Sequence, residues 1–272
     1  MNYIQVTFNG LQNNETEILI ALLANAGFES FEEKENTLKA FIKEPAFGEA
    51  LLHDIICAFP VKYSISVVPE QNWNAQWESS FEPIVINDFV AIRAGFHSPI
   101  KHVRHEIVIT PKMSFGTGHH ATTYMMIEQM KDIDFKNKRV LDFGTGTAVL
   151  AILAEKMGAA KIDAIDYDQW SIENSKENST INNCNKINLL MADTISGDNK
   201  YNIILANINL NVIKENLTAI KASAVNNGYI LLSGFLKADE EEMERNLTLN
   251  NMIIVNTIQK AEWICILAKN MQ

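Results

Sequence analysis

Residues 139–158 read RVLDFGTGTAVLAILAEKMG, from Arg139 to Gly158, and the fold turns on them. Val140 and Leu141 close a short apolar run with Asp142 at its tip, and Gly144-Thr145-Gly146 predicts a tight turn. Val149, Leu150, Ile152, Leu153 and Met157 then recur at helical spacing until Gly158 supplies a stop. The expected order is strand, glycine turn, helix. Glycines in such a turn let a ligand approach the backbone where a Cβ would collide. The following helix N-terminus is expected to offer free N–H groups and a partial positive charge.

Two ligand classes use a turn of this kind. A dinucleotide site wants G-x-G-x-x-G, and Val149 stands where the third glycine belongs. The stretch resembles more closely the turn of doubly wound S-adenosylmethionine methyltransferases. Asp142 matches their strand-end acid, and Ala148 stands where they often carry a further glycine.

Downstream, short apolar runs each deliver a polar residue at the tip. Lys161–Ile165 ends in Asp166, 22 residues after Gly144, the spacing of an acid that binds ribose hydroxyls. Tyr167 beside it is expected to pack on an adenine. Ile187–Met191 leads to Ala192 and Asp193, an acceptor for adenine's amino group. Tyr201–Ala206 delivers Asn207, beside the reacting methyl if ligands sit at the switch between the first and fourth strands. Helices are expected at Trp170–Asn178, Leu210–Ala222 and Ala238–Leu247, a fifth strand at Tyr229–Phe235, and a closing hairpin at Ile253–Gln259 and Glu262–Ala268.

Upstream, Ile84–Ile92 and Glu106–Ile109 read as strands, and the glycine-bracketed SFGTGHHATT feeds a helix over Tyr124–Met130. His119 and His120 are adjacent, point about 100° apart on a helix and make a poor metal pair. No metal is expected. Trp73, Trp77 and Phe81 at four-residue spacing predict a linker helix over 71–83. Before it, YIQVTF, Thr16–Ala26, Phe28–Phe31, Thr37–Ile42, Phe47–Phe59 and Val61–Val68 spell β-α-β-β-α-β, the ferredoxin-like pattern, with the charged EEKEN separating the middle strands. The expected domains are therefore 1–70, a linker at 71–83, and a catalytic domain at 84–272. The fold class is α/β: a doubly wound, Rossmann-like domain with a terminal antiparallel hairpin, preceded by a small α+β domain.

The 272 residues, 47% hydrophobic and 21% charged, are ordinary for a globular protein. No run approaches the ~20 apolar residues of a membrane span, and MNYIQVTFNG lacks a basic start, so a cytoplasmic protein is expected. Cys57, Cys184 and Cys265 form no C-x-x-C and read as buried thiols. A net charge of −10 counts against nucleic acid. Ten acids and four bases leave −6 on residues 1–70, which suits a basic protein partner.

WNAQWESSFEP, VAIRAG, SFGTGHHATT, VLDFGTG, IDAIDYD, ILANI, LLSGF and AEWICILAK together resemble the bacterial methyltransferases of large-subunit ribosomal protein L11. The resemblance implies methylation of that protein's α-amine and lysine side chains to the trimethyl state, with S-adenosylmethionine as donor. It implies a recognition domain at 1–70, a linker helix and a catalytic domain; a monomer is expected. By position it carries Thr123, Gly144, Asp166 and Asn207 to cofactor contacts, beside Gly146, Tyr167 and Asp193 read above. Asn207 is also the residue expected to position the amine. His119 and His120 are candidate bases. A small-molecule methyltransferase is the alternative, made less attractive by the extra N-terminal domain.

Overall fold

The computed structural model describes residues 2–11, 13–34, 36–48, 50, 52–53, 55, 61–68, 81–111, 116–195 and 199–271. The chain divides into two compact units, Met1–Glu78 and Ser79–Gln272. The linker helix expected over 71–83 lies outside the described residues except at its last three positions, and Cys57 lies outside them too.

The first unit runs β1 (Tyr3–Asn9), α1 (Asn13–Asn25), β2 (Ser30–Lys34), β3 (Thr37–Lys43), a 3-10 turn at Glu44–Ala46, helical backbone at 50, 52, 53 and 55, then β4 (Lys62–Val68). Its sheet has the order β2-β3-β1-β4, with antiparallel neighbours throughout. That is the ferredoxin-like order. Alternation along β1 buries Ile4, Val6 and Phe8, which pack with Leu19 and Leu23 of α1 and Leu38, Ala40 and Ile42 of β3. The charged stretch does not separate the middle strands. Glu32 and Glu33 belong to β2, opposite Lys39 and Leu38, and Lys39 pairs with Glu32 at 3.3 Å. The exposed strand tolerates acids because its cross-strand neighbour supplies lysine.

The second unit opens with a three-stranded sheet, β5 (Ile84–Ile86), β6 (Val90–Ala94) and β7 (His105–Ile109), in that order. The single strand expected over 84–92 is a hairpin, because Asn87 takes φ 51° and turns the chain at residues 87–89. There follow α2 (Ala121–Met130), β8 (Arg139–Phe143), α3 (Val149–Lys156), β9 (Lys161–Asp166), α4 (Gln169–Ile181), β10 (Ile187–Met191), β11 (Tyr201–Asn207), α5 (Leu210–Ser223), β12 (Ala224–Leu236), a 3-10 turn at Lys237–Asp239, α6 (Glu240–Leu249), β13 (Met252–Lys260) and β14 (Trp263–Asn270).

Strands β8 to β14 make one sheet of order β10-β9-β8-β11-β12-β14-β13. The first five strands of that order are parallel, and β14 is antiparallel to both of its neighbours. The chain steps outward from β8 to β10, then returns to place β11 on β8's other side. Strand order thus reverses between β8 and β11, the position where doubly wound sheets open a crevice. Helices cover both faces, so the central strands are buried nearly throughout. Met125, Met126 and Met130 of α2 and Val149 to Ala154 of α3 fill one side. Ile213, Leu217 and Ile220 of α5 with Met243 and Leu247 of α6 fill the other. Burial pushes the Cys184 thiol up to about 11 and Cys265 up to about 12, so both remain inert free thiols.

Candidate active site

At the C-terminal ends of β8, β9 and β11 lies a cavity of about 1130 Å³. Its wall includes Gly144 and Gly146 of the glycine turn, Asp166 to Asp168 after β9, Asp193 after β10, and Asn207 at the end of β11. Gly144, Gly146, Asp166, Tyr167, Asp193 and Asn207, separated by up to 63 residues in the chain, thus meet on one surface.

The hydrogen bonds of the glycine turn bear on the ligand. Its N–H groups are spent inside the protein. Gly144 and Thr145 both donate to the Ile165 carbonyl, at 2.8 and 3.0 Å, and Gly146 donates to Asp166 Oδ2 at 2.9 Å. Ala148 takes φ 63°, which explains why a glycine would also suit that position, and its N–H donates to Thr145. A pyrophosphate would find these donors engaged and an acid beside them.

Asp142 is fully buried and is not among the residues of the cavity wall. Its Oδ2 accepts from the Thr145 hydroxyl at 2.7 Å and from the Ala151 N–H of α3 at 3.2 Å. Burial pushes it up to about 7; the two hydrogen bonds oppose that rise and the neighbouring Asp166 adds to it. It braces turn and helix from behind.

Asp166 is 7% exposed, and its two oxygens accept from the Gly146 and Asp168 N–H groups. Each oxygen keeps a further lone pair for a hydroxyl. Tyr167 and Trp170 line the wall while remaining 78% and 75% exposed. Asp168 caps α4 by accepting from the Ser171 N–H and hydroxyl, and these bonds hold its carboxyl below the usual carboxylate range.

Asn207 is 9% exposed, and its Nδ2 donates to Thr123 Oγ1 at 3.2 Å. That bond turns Oδ1 away from Thr123, and Oδ1 is buried without a hydrogen-bond partner. Thr123 itself is fully buried one layer behind and is not among the lining residues. The two adjacent histidines separate. His120 lines the cavity, caps α2 and meets Trp263 edge-on at 4.6 Å. His119 instead packs edge-on against Phe81 at 4.7 Å.

Several wall residues carried no separate signal in the sequence: Ile208, Asn209, Glu215 and Asn216 from the start of α5, Gly234, and Trp263. Gly234 and Trp263 sit within LLSGF and AEWICILAK, the stretches that bore the family resemblance. Ile208 is wedged between two strand ends. A Cβ on Gly144 would lie 2.2 Å from its Cγ2, and one on Gly234 would lie 2.2 Å from its carbonyl oxygen. Asp166, Asp168, Asp193 and Glu215 place four carboxylates on the wall, and among the described residues no lysine or arginine lines it. Among the described residues no cluster of three His, Cys, Asp or Glu could hold a metal. No described helix is long and apolar enough to cross a membrane.

A parallel sheet ending in an antiparallel β14, with an acid-lined crevice at its reversal point, defines a class: the S-adenosylmethionine-dependent methyltransferases of the doubly wound type. The model of one family, described as ribosomal protein L11 methyltransferase (PrmA), matches residues 6–271, and the chain belongs to that family. It is 36% identical over 276 residues to the ribosomal protein L11 methyltransferase of Phocaeicola vulgatus, covering 98% of both chains. It is 36% identical over 255 residues to that of Porphyromonas gingivalis, covering 91% of this chain and 88% of the other. The crystal structure of a ribosomal protein L11 methylase from Lactobacillus delbrueckii subsp. bulgaricus shares the fold, with a TM-score of 0.66 at 24% identity over 71% of this chain and all of that one.

Proposed function

We propose that this protein methylates ribosomal protein L11 on its α-amine and lysine side chains, to the trimethyl state, and that the cavity at the β8–β11 junction holds donor and amine together. The observation that carries the proposal is Asn207: a buried amide whose carbonyl oxygen has no partner, held in orientation by Thr123 and set in the cavity wall. A buried acceptor left unpaired is costly, and it marks a place where a ligand N–H belongs.

The residues present fit S-adenosylmethionine. Asp166 would accept from the ribose hydroxyls, Tyr167 would cover the adenine, Asp193 would accept from its amino group, and Gly144 and Gly146 would form the floor. The four carboxylates of the wall suit a sulfonium and disfavour an anionic dinucleotide. When bound, the donor supplies an electrophilic methyl group on sulfur.

The chain's own part is to place a neutral amine and hold its lone pair in line. Asn207 Oδ1 accepts one amine N–H and thereby fixes the direction of the lone pair. A lysine begins near pKa ~10.4 and an α-amine near ~8, so the proton must leave. Exposed Asp193 and Glu215 are screened by solvent and serve to draw the cation in; the dry end of the cavity beside Asn207 is where the neutral form gains. His120 is the histidine on the wall and replaces the pair 119–120 as the candidate proton acceptor.

We assign target recognition to residues 1–70, whose −6 charge complements a basic ribosomal protein, and catalysis to 84–272, with 71–83 as the joint. Mass spectrometry of L11 after incubation with enzyme and donor tests the whole reading. Mass should rise in steps of three methyl groups per modified amine, and Asn207→Ala should abolish the rise while donor binding persists. An unchanged L11 mass with the native enzyme would overturn it. Deleting residues 1–70 should spare donor binding and end methylation of L11.

A further inference from the structure

Helix α4 buries Ser171, Asn174, Ser175, Asn178 and Ser179, and not one apolar side chain. Polar groups buried at this density need partners; Ser175, Asn178 and the Asn174 amide nitrogen find them on backbone, Ser171 on the Asp168 carboxylate, while Asn174 Oδ1 and Ser179 Oγ have none. Ser175 Oγ donates to the Gly146 carbonyl at 2.6 Å, and Asn178 Nδ2 donates to the Thr147 carbonyl at 2.9 Å. These are consecutive carbonyls of the glycine turn.

The same helix holds the outer edge of β7. Asn178 Oδ1 accepts from the Thr110 N–H at 2.8 Å, and Asn174 Nδ2 donates to the Thr110 carbonyl at 3.2 Å. Asn182, just past the helix, accepts from the Val108 N–H at 3.0 Å and donates to its carbonyl at 2.6 Å. Asparagines four residues apart thus replace a missing strand. Thr147 in turn donates its hydroxyl to the Gly116 carbonyl at 2.7 Å. Thr110 and Gly116, on either side of 111–115, are therefore both tied to the glycine turn, one through Asn178 and one through Thr147.

We infer that Ser175 and Asn178 are positioning residues for methyl-donor binding. Each fixes the direction of one peptide carbonyl in the turn, and a planar peptide unit carries its N–H in the opposite direction. Two held carbonyls therefore set which face the glycine turn shows to the cavity. Glycine on either side of Thr145 gives the backbone room to pivot about its remaining N–H bonds once these two are lost. Asn182 shares the helix register and the grip on β7 but has no bond to the turn, so it separates a structural effect from a positioning one. The inference rests on reading the cavity as the donor site.

Titration calorimetry on the full chain with S-adenosylhomocysteine, the demethylated donor, tests it. Ser175→Ala and Asn178→Ala should each raise Kd by about tenfold, as follows if losing the bond leaves about a tenth of the molecules with the turn in its binding geometry. Asn182→Ala should melt earlier than the native protein yet bind with native Kd. Ser175→Ala removes a single hydroxyl and keeps the test open if Asn178→Ala fails to fold. Native Kd for Ser175→Ala, or an Asn182→Ala loss as large as that of the other two, overturns the positioning role. If the native chain itself does not bind, the donor-site reading falls, and this inference with it.

Discussion

Helices α3 and α4 follow neighbouring strands of one parallel sheet and both bear on the glycine turn, yet they hold it by opposite means. The buried residues of α3 are Val149, Leu150, Ala151, Ile152, Leu153 and Ala154; those of α4 are two asparagines and three serines. Apolar burial is non-directional and scales with area. Hydrogen bonds from a hydroxyl or an amide specify an angle. The turn is thus anchored by the first helix and oriented by the second. Anchoring and orienting are different demands on a cofactor loop, and this unit distributes them between two elements.

The largest test of that division is Leu153→Ala. Truncating a fully buried leucine should cost about 2–5 kcal/mol in urea unfolding, while the folded fraction keeps native affinity for S-adenosylhomocysteine. A loss of affinity matching that of Ser175→Ala would erase the distinction between the helices. Next in size is Asn182→Ala, which leaves the Val108 N–H and carbonyl without their amide and should cost about 1–3 kcal/mol in the same assay. A neutral result would show that solvent satisfies the β7 edge as well as α4 does.

Asp142 sharpens the comparison through pH. It is a polar tie to the apolar helix and it titrates, whereas the amides and hydroxyls of α4 do not. Its folded value of about 7 exceeds the ordinary 3.8, so the native state keeps a proton that the unfolded chain releases between those values. The stability this group contributes is full below about pH 3.8 and is lost as pH rises towards 7. Asp142→Asn removes the titration, so thermal melts should show the variant gaining on the native protein from about pH 5 to pH 8. A constant gap across that range would mean the carboxyl is already ionised at the lower end. Smallest is Trp170→Phe at the start of α4, on the cavity wall and 75% exposed, which should shift stability by less than about 0.5 kcal/mol. A larger shift would show that this exposed ring also bears load.

Much of the fold was legible in the sequence because its signals were periodic. The glycine turn, the alternation of β1 and the strand-tip polar residues each follow from spacing and residue type alone. Asp166, 22 residues beyond Gly144, reached the cavity as expected. Residues read by chemistry in place of periodicity fared less evenly. SIENSKENS spells a solvated helix face, since serine and asparagine are ordinarily exposed, and its burial depends on an open strand edge that comes from 64 to 74 residues earlier. The turn at Asn87 carries no glycine, so 84–92 looked continuous. Free N–H groups were expected at the helix N-terminus, and the Ala151 N–H there goes to Asp142, as those of the turn before it go to Ile165 and Asp166. Such pairings are tertiary facts. No local pattern encodes them.

The wedge formed by Ile208 sets a limit on how this enzyme can be engineered. Gly144 and Gly234 come from different strands, yet any side chain at either would run into the same isoleucine, and both backbones hold positive φ, 76° and 102°. A saturation library covering the two positions, selected for methyl transfer, should return glycine at both. Diversity introduced to alter the substrate is better placed at Glu215, an exposed wall residue of α5, than at its neighbours Val212 and Asn216, which are packed against the core and hydrogen-bonded within the helix.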